Sequence, residues 1–215
     1  MSSQGAQVAG DVRHRRRDPV EFGRIVGLSD GVFAIAITLL VLNLDIPTSD
    51  LVDSLRDESN SFLAYALSFA VLGRFWMAHH AFFSEVKRFD RGLMRLNLVF
   101  LGWVTLVPFA TGVFGEFSGE PAGIAVYAVV LAALGITEDL LAVYASHKGL
   151  TSPEFATRER TTEVLRFLVP VIFLAAIPVA VVAPGLAPLV WLLIIPVGRV
   201  RGRREGTRPQ AKSAA

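Results

Sequence analysis

Apolar and polar positions come in long blocks along this chain, not in the alternation of a strand or the one-sided stripe of a surface helix. Apolar stretches cover Ile25–Ile46, Ser61–Phe83, Leu93–Phe114 and Ala122–Ala145, with short charged stretches between them. Each is long enough to cross a hydrocarbon core of about 30 Å. Residues 167–198 carry no charge at all. One helix of that length would run about 48 Å, too long for a single crossing. Ala183-Pro184-Gly185 lies near its middle and predicts a turn. That divides the stretch into 164–182 and 186–200. The pattern predicts an all-α, polytopic membrane protein with six transmembrane helices.

Composition agrees with the blocks. Mean hydropathy is +0.51, and charged residues make up 19% of the chain, below the roughly 25% of a soluble domain. There is no cysteine, which excludes a disulfide, a thiolate metal site and a cysteine nucleophile. The basic pI of about 9.3 does not indicate nucleic acid, because no nucleic-acid-reading motif accompanies the charge.

The charges instead suggest topology. Of the 21 Lys and Arg residues, only Arg56 falls in a loop assigned to the outside. The others lie in the tails, the second-to-third and fourth-to-fifth loops, and the adjoining helix ends. By the positive-inside rule, both termini are expected in the cytoplasm of a cell whose plasma membrane the chain spans. Residues 1–23 and 201–215 read as basic cytoplasmic tails, and 24–200 as the membrane domain. No short-period repeat is visible.

The first apolar stretch holds the candidate chemistry. Asp30 lies inside it, and a carboxylate in a membrane helix must find a partner or take up a proton. At about 100° per residue, Gly31, Ile35, Thr38 and Leu42 fall within about 60° of one another, with Leu39 at the edge of that stripe. Asp30 stands roughly 120° from Leu42. The stripe is therefore expected to face something other than what Asp30 faces. Asp30 is expected to meet its own subunit, where Arg74, His79, His80, Arg95 and Asn97 offer polar groups at a similar depth. Two plainer readings stand beside these. The polar layer is also what an ordinary helix-packing network needs, and the stripe is also what a lipid-facing surface looks like.

An enzyme is not expected. His79 and His80 are adjacent, point about 100° apart and cannot together chelate one ion. Neither they with Glu85, nor Glu138 with Asp139, match a zinc-hydrolase spacing. No cofactor and no metal site is therefore expected. A proton leak or a proton-coupled cation transporter, using Asp30 and the histidines, is a separate alternative.

Three motifs resemble one known family. Arg24-Ile25-Val26-Gly27-Leu28-Ser29-Asp30-Gly31, followed by Val-Phe-Ala-Ile-Ala-Ile-Thr-Leu-Leu-Val-Leu, is similar to the signature of the transmembrane protein 175 (TMEM175) potassium channels. Leu28 stands where the family has phenylalanine. Phe75 to His80 is similar to the family's Trp-x-x-His-His, and Arg95 to Phe109 is similar to its third helix. The resemblance implies a homotetramer in the lipid bilayer, with six helices per chain around a central pore and potassium ions as the permeant species. It implies that Ile35, Thr38, Leu39 and Leu42 line the pore. Thr38 would form a hydroxyl layer between hydrophobic constrictions at Ile35 and Leu42. It further implies that Arg24, Ser29, Asp30, Trp76, His79, His80 and Asn97 form a structural polar network. Four copies of Asp45 at the outer end of the first helix would attract cations, although a merely solvated acidic loop is the commoner outcome.

Overall fold

The computed structural model describes residues 22–44, 58–157 and 167–194. The tails, Asp45 with the acidic loop that follows it, residues 158–166 and the end of the expected sixth segment lie outside the described residues. All regular structure among the described residues is helical, apart from an isolated antiparallel bridge between Val86 and Thr151.

Helix α1 spans Phe22–Asn43, α2 Ser59–Glu85, α3 Arg91–Glu116 and α4 Pro121–His147. Each is long and apolar enough to cross a membrane. Their ends fall within a few residues of the apolar blocks, because charge marks the boundaries. Asp90, whose carboxylate accepts the Leu93 N–H at 2.8 Å, starts α3. Pro121 starts α4, where its missing N–H has no cost.

Of the two further spans expected in the last apolar stretch, 164–166 and 195–200 lie outside the described residues, and the described part is irregular. Helix α5 covers Leu168–Val182, about 22 Å. Residues Pro184–Leu193 form a 3₁₀-helix, not an α-helix, about 20 Å long. Among the described residues, four helices reach spanning length, not six. The prolines supply the reason. Pro184 and Pro188 stand four apart, so Pro188 cannot donate the bond an α-helix needs and its ring would meet the carbonyl of Pro184. The turn at Ala183-Pro184-Gly185 does form. Beyond it, Trp191 returns to the level of Phe173, its Nε1–H directed at the Phe173 carbonyl at 3.4 Å.

Burial rises along the chain. The most apolar window is 22% buried in α1 and in α2, 50% in α3 and 61% in α4. Helix α4 is thus the centre of the core, and α1 is held on one side only. Small residues let the centre close up. A side chain at Gly135 would press on Pro170 of α5, with Cγ at 3.2 Å. The ring of Trp191 fills the end of this core against Phe114 at 5.3 Å and Tyr127 at 5.0 Å.

Candidate functional site

Helix α1 has two faces. Ser29, Phe33, Ala36 and Leu40 are buried, and these fall on one line at helical spacing. On the opposite side, Ile35 is 61% exposed and Leu42 74%. Thr38 and Gly31 are also exposed on that side, and Leu39 is at its edge. The Thr38 hydroxyl donates to the Ile35 carbonyl at 2.8 Å. Its proton is therefore turned into the helix, which leaves oxygen lone pairs on the exposed surface.

The buried face is fixed by a directed chain of hydrogen bonds. The Ser29 hydroxyl donates to the Ile25 carbonyl at 3.1 Å. Ser29 Oγ accepts from Asn97 Nδ2 of α3 at 3.0 Å. The remaining Asn97 atom, Oδ1, is only an acceptor and lies 2.9 Å from His79 Nε2 of α2. His79 must then carry its proton on Nε2. Three helices are joined by bonds that run in one direction, from His79 through Asn97 and Ser29 to the Ile25 carbonyl. Aromatic rings close the chain off from lipid. His79 stacks on Phe100 at 5.1 Å and 7° and lies against Phe83 at 4.5 Å and Phe33 at 5.7 Å.

Asp30 is on the flank between the two faces, and its partner is not the one charge would select. Trp76 of α2 donates its Nε1–H to Asp30 Oδ1 at 3.0 Å. Arg24, Arg74 and Arg95 remain exposed and make none of the bonds of this layer. Long cationic side chains keep their heads where they stay solvated, so a neutral indole is left to meet the carboxylate. His80 also lies outside the bonded chain, exposed and tilted against Trp76 at 5.8 Å. The expected network of seven residues thus reduces to two units, Ser29–Asn97–His79 and Asp30–Trp76. Asp45 lies outside the described residues.

The family model described as endosomal/lysosomal potassium channel TMEM175 matches residues 24–108. These residues contain α2, all of α1 but its first two residues, and both bonded units. The structure superposes on that of a lysosomal potassium-selective channel TMEM175 homologue from Chamaesiphon minutus with a TM-score of 0.73. Identity there is 32%, and the match covers 85% of this chain and 98% of the other. The chain belongs to the TMEM175 family. A potassium channel of Streptomyces collinus is 43% identical over 124 residues, covering 54% of this chain and 60% of that protein. The human endosomal/lysosomal proton channel TMEM175 is 34% identical over 116 residues, covering 48% of this chain and 23% of that protein. The matched part is thus about three fifths of the bacterial relative and a quarter of the human one.

Within this family fold, two further groups of residues hold the helices in register, and sequence reasoning passed over both. Asn43, at the end of α1, reaches the Pro108 carbonyl of α3 at 3.0 Å. A lone asparagine ending an apolar run was the available signal. Ser68, Thr111 and Tyr127 form a second buried unit, with Ser68 Oγ at 2.9 Å from the Tyr127 hydroxyl and 2.8 Å from Thr111 Oγ1. Thr111 also reaches the Val107 carbonyl at 2.8 Å. Thr111 is the donor in both of its contacts and shares its one proton between Ser68 Oγ and the Val107 carbonyl, while the Ser68–Tyr127 bond can run in either direction. Isolated hydroxyls in apolar runs gave no sequence pattern that would pair them.

Proposed function

We propose that this protein is a potassium-permeable channel. Four copies surround a pore lined by the exposed face of α1. The observation that carries the reading is the division of that helix. One face is bonded to its own subunit through Ser29 and Asp30. The other presents Ile35, Thr38 and Leu42, which are exposed among the described residues. Ile35 forms an apolar ring that selects by size and dewetting, and Leu39 and Leu42 stand at the margin of the pore beyond Thr38. The Thr38 oxygens replace part of a cation's hydration shell, because their protons are tied to Ile35 carbonyls. The bonded units on the opposite face hold the helix at a fixed rotation and do not touch the ion. Asp45 draws cations toward the mouth. Relatives named as potassium channels, from Streptomyces collinus and Chamaesiphon minutus, support the choice of ion.

A second reading, proton conduction through the Asp30 and His79 layer, is favoured by the name of the human relative. Liposomes containing the purified protein separate the two. A potassium gradient alone is expected to drive sustained potassium flux. Flux that requires a second ion gradient would overturn the channel reading. Acidification of the lumen under a pH gradient, with potassium absent, would establish the proton reading instead. The mass of the detergent-solubilised protein, corrected for detergent, is expected to be that of four chains.

A further inference from the structure

The last turn of α1 is not α-helical. Leu40–Asn43 form a 3₁₀ turn, closed by the Leu44 N–H on the Val41 carbonyl at 3.1 Å. The Asn43 side chain spans the same turn. Its Nδ2 donates to the Leu40 carbonyl at 3.3 Å and to the Pro108 carbonyl of α3 at 3.0 Å, so both N–H groups have acceptors. Helix α3 is shaped to receive it. Pro108 sits inside the helix. Gly112, one turn later, leaves bare Cα surface where a Cβ would lie 2.6 Å from Asn43 Oδ1 and 3.3 Å from its Cγ.

The turn changes where Leu42 points. A 3₁₀-helix advances about 120° per residue against about 100° in an α-helix, so three such residues rotate Leu42 by roughly 60°. Side chains three apart eclipse in a 3₁₀ turn. Leu42 therefore stands over Leu39, off the line of Ile35 and Thr38. Continued as an α-helix, the same residue would fall on that line.

We propose that Asn43 is a positioning residue. Its bond to Pro108, in the slot left by Gly112, holds the last turn of α1 in 3₁₀ form and keeps Leu42 rotated away from the centre of the pore. Losing the latch lets the turn relax to α-helix and brings four Leu42 side chains inward. The inference rests on the pore reading above, so its test must tell the two apart.

The chain contains no cysteine, so Leu42→Cys is a single thiol whose oxidative cross-linking between copies reports its approach to the axis without any ion flux. Ile35→Cys, on the line and away from the latch, is the control. Asn43→Ala is expected to speed cross-linking at Leu42→Cys by about threefold or more, as the inward rotation of about 60° implies, and to leave Ile35→Cys unchanged. Gly112→Ala, which pushes the amide off Pro108 from the other helix, is expected to do the same and keeps the test alive if Asn43→Ala fails to assemble. The double variant should add nothing to either one. With Leu42 intact, both single variants should lower potassium flux per assembled channel. Unchanged or slower cross-linking at Leu42→Cys, with cross-linking at Ile35→Cys intact, would overturn the latch and leave the pore reading standing. Failure of Ile35→Cys to cross-link would overturn both.

Discussion

The two faces of α1 belong to one helix with one backbone, yet they are built on different principles. The inner face carries Ser29, Phe33, Ala36 and Leu40, all buried, and each polar group on it has an identified partner. The outer face carries Ile35, Thr38 and Leu42, exposed, and its one hydroxyl bonds only to its own helix. Membrane helices gain little from sheltering apolar side chains, since lipid already does so. What separates the faces is therefore packing and hydrogen bonding, not hydrophobicity. A face that must stay put is given neighbours of fitted shape and directed bonds. The exposed face lacks them among the described residues.

Substitutions can break this contrast, and the largest effect is expected on the inner face. Phe33→Ala should destabilise by about 2 kcal/mol, the packing and cavity share of the roughly 3–5 kcal/mol seen for Phe→Ala in soluble cores. A fall in the thermal midpoint of the detergent-solubilised protein would register it. An unchanged midpoint would mean that the inner face is not holding the helix. Asn97→Leu preserves volume and removes the middle of the bonded chain. It leaves the His79 N–H without an acceptor, at a cost of about 1–2 kcal/mol. The same thermal measurement checks it, and potassium selectivity should be unaltered in whatever protein assembles.

The outer face should respond the other way. Thr38→Ala is expected to change stability by less than about 0.5 kcal/mol while lowering the preference for potassium over sodium, read as a shifted reversal potential. An unchanged reversal potential would remove Thr38 from the selectivity layer. The smallest effect is expected beyond the membrane-spanning part. The Leu93 N–H bond, joined by one from Tyr144 at 2.9 Å, holds the Asp90 carboxyl below its usual pKa of 3.8. A depressed pKa contributes stability above the unfolded value, and that contribution is lost as pH falls through the folded one. Asp90→Asn should therefore melt slightly below the parent at neutral pH, and the gap should close below about pH 4. A gap independent of pH would assign the effect to shape, not charge.

The inner and outer faces differ also in how much the sequence disclosed. The exposed stripe was legible because a regular helix converts spacing into angle, and α1 is regular through Leu39. The angle fails at Leu42, where Leu40–Asn43 tighten into a turn that no residue in the stripe announces. The polar layer was legible as a depth, since Ser29, Asp30, His79 and Asn97 stood at matching positions in three apolar runs. Its pairing was not. Arg74, His79, His80, Arg95 and Asn97 were all available to Asp30, but the structure supplies Trp76, because choosing among donors requires side-chain directions that spacing leaves open. The four long helices were bounded by charge. The last stretch offered none, and there the two prolines of Pro184–Leu193 decided the geometry locally.

The bridge between Val86 and Thr151 bears on how freely this molecule's relatives can diverge. The Lys87 and Arg88 N–H groups donate to the Leu150 carbonyl, and the Ser152 N–H to the Glu85 carbonyl, so two loops distant in sequence are tied mainly through the main chain. Such a tie is indifferent to most side chains and is vulnerable chiefly to proline at its donor positions. The exposed cations Lys87 and Lys148 around it can be exchanged or reversed in sign while the loops stay joined, whereas Arg88 also donates to the Gly149 carbonyl at 3.3 Å. This end of the molecule is thus open to rapid change in surface charge at little structural risk, whereas the inner face of α1 has no comparable latitude.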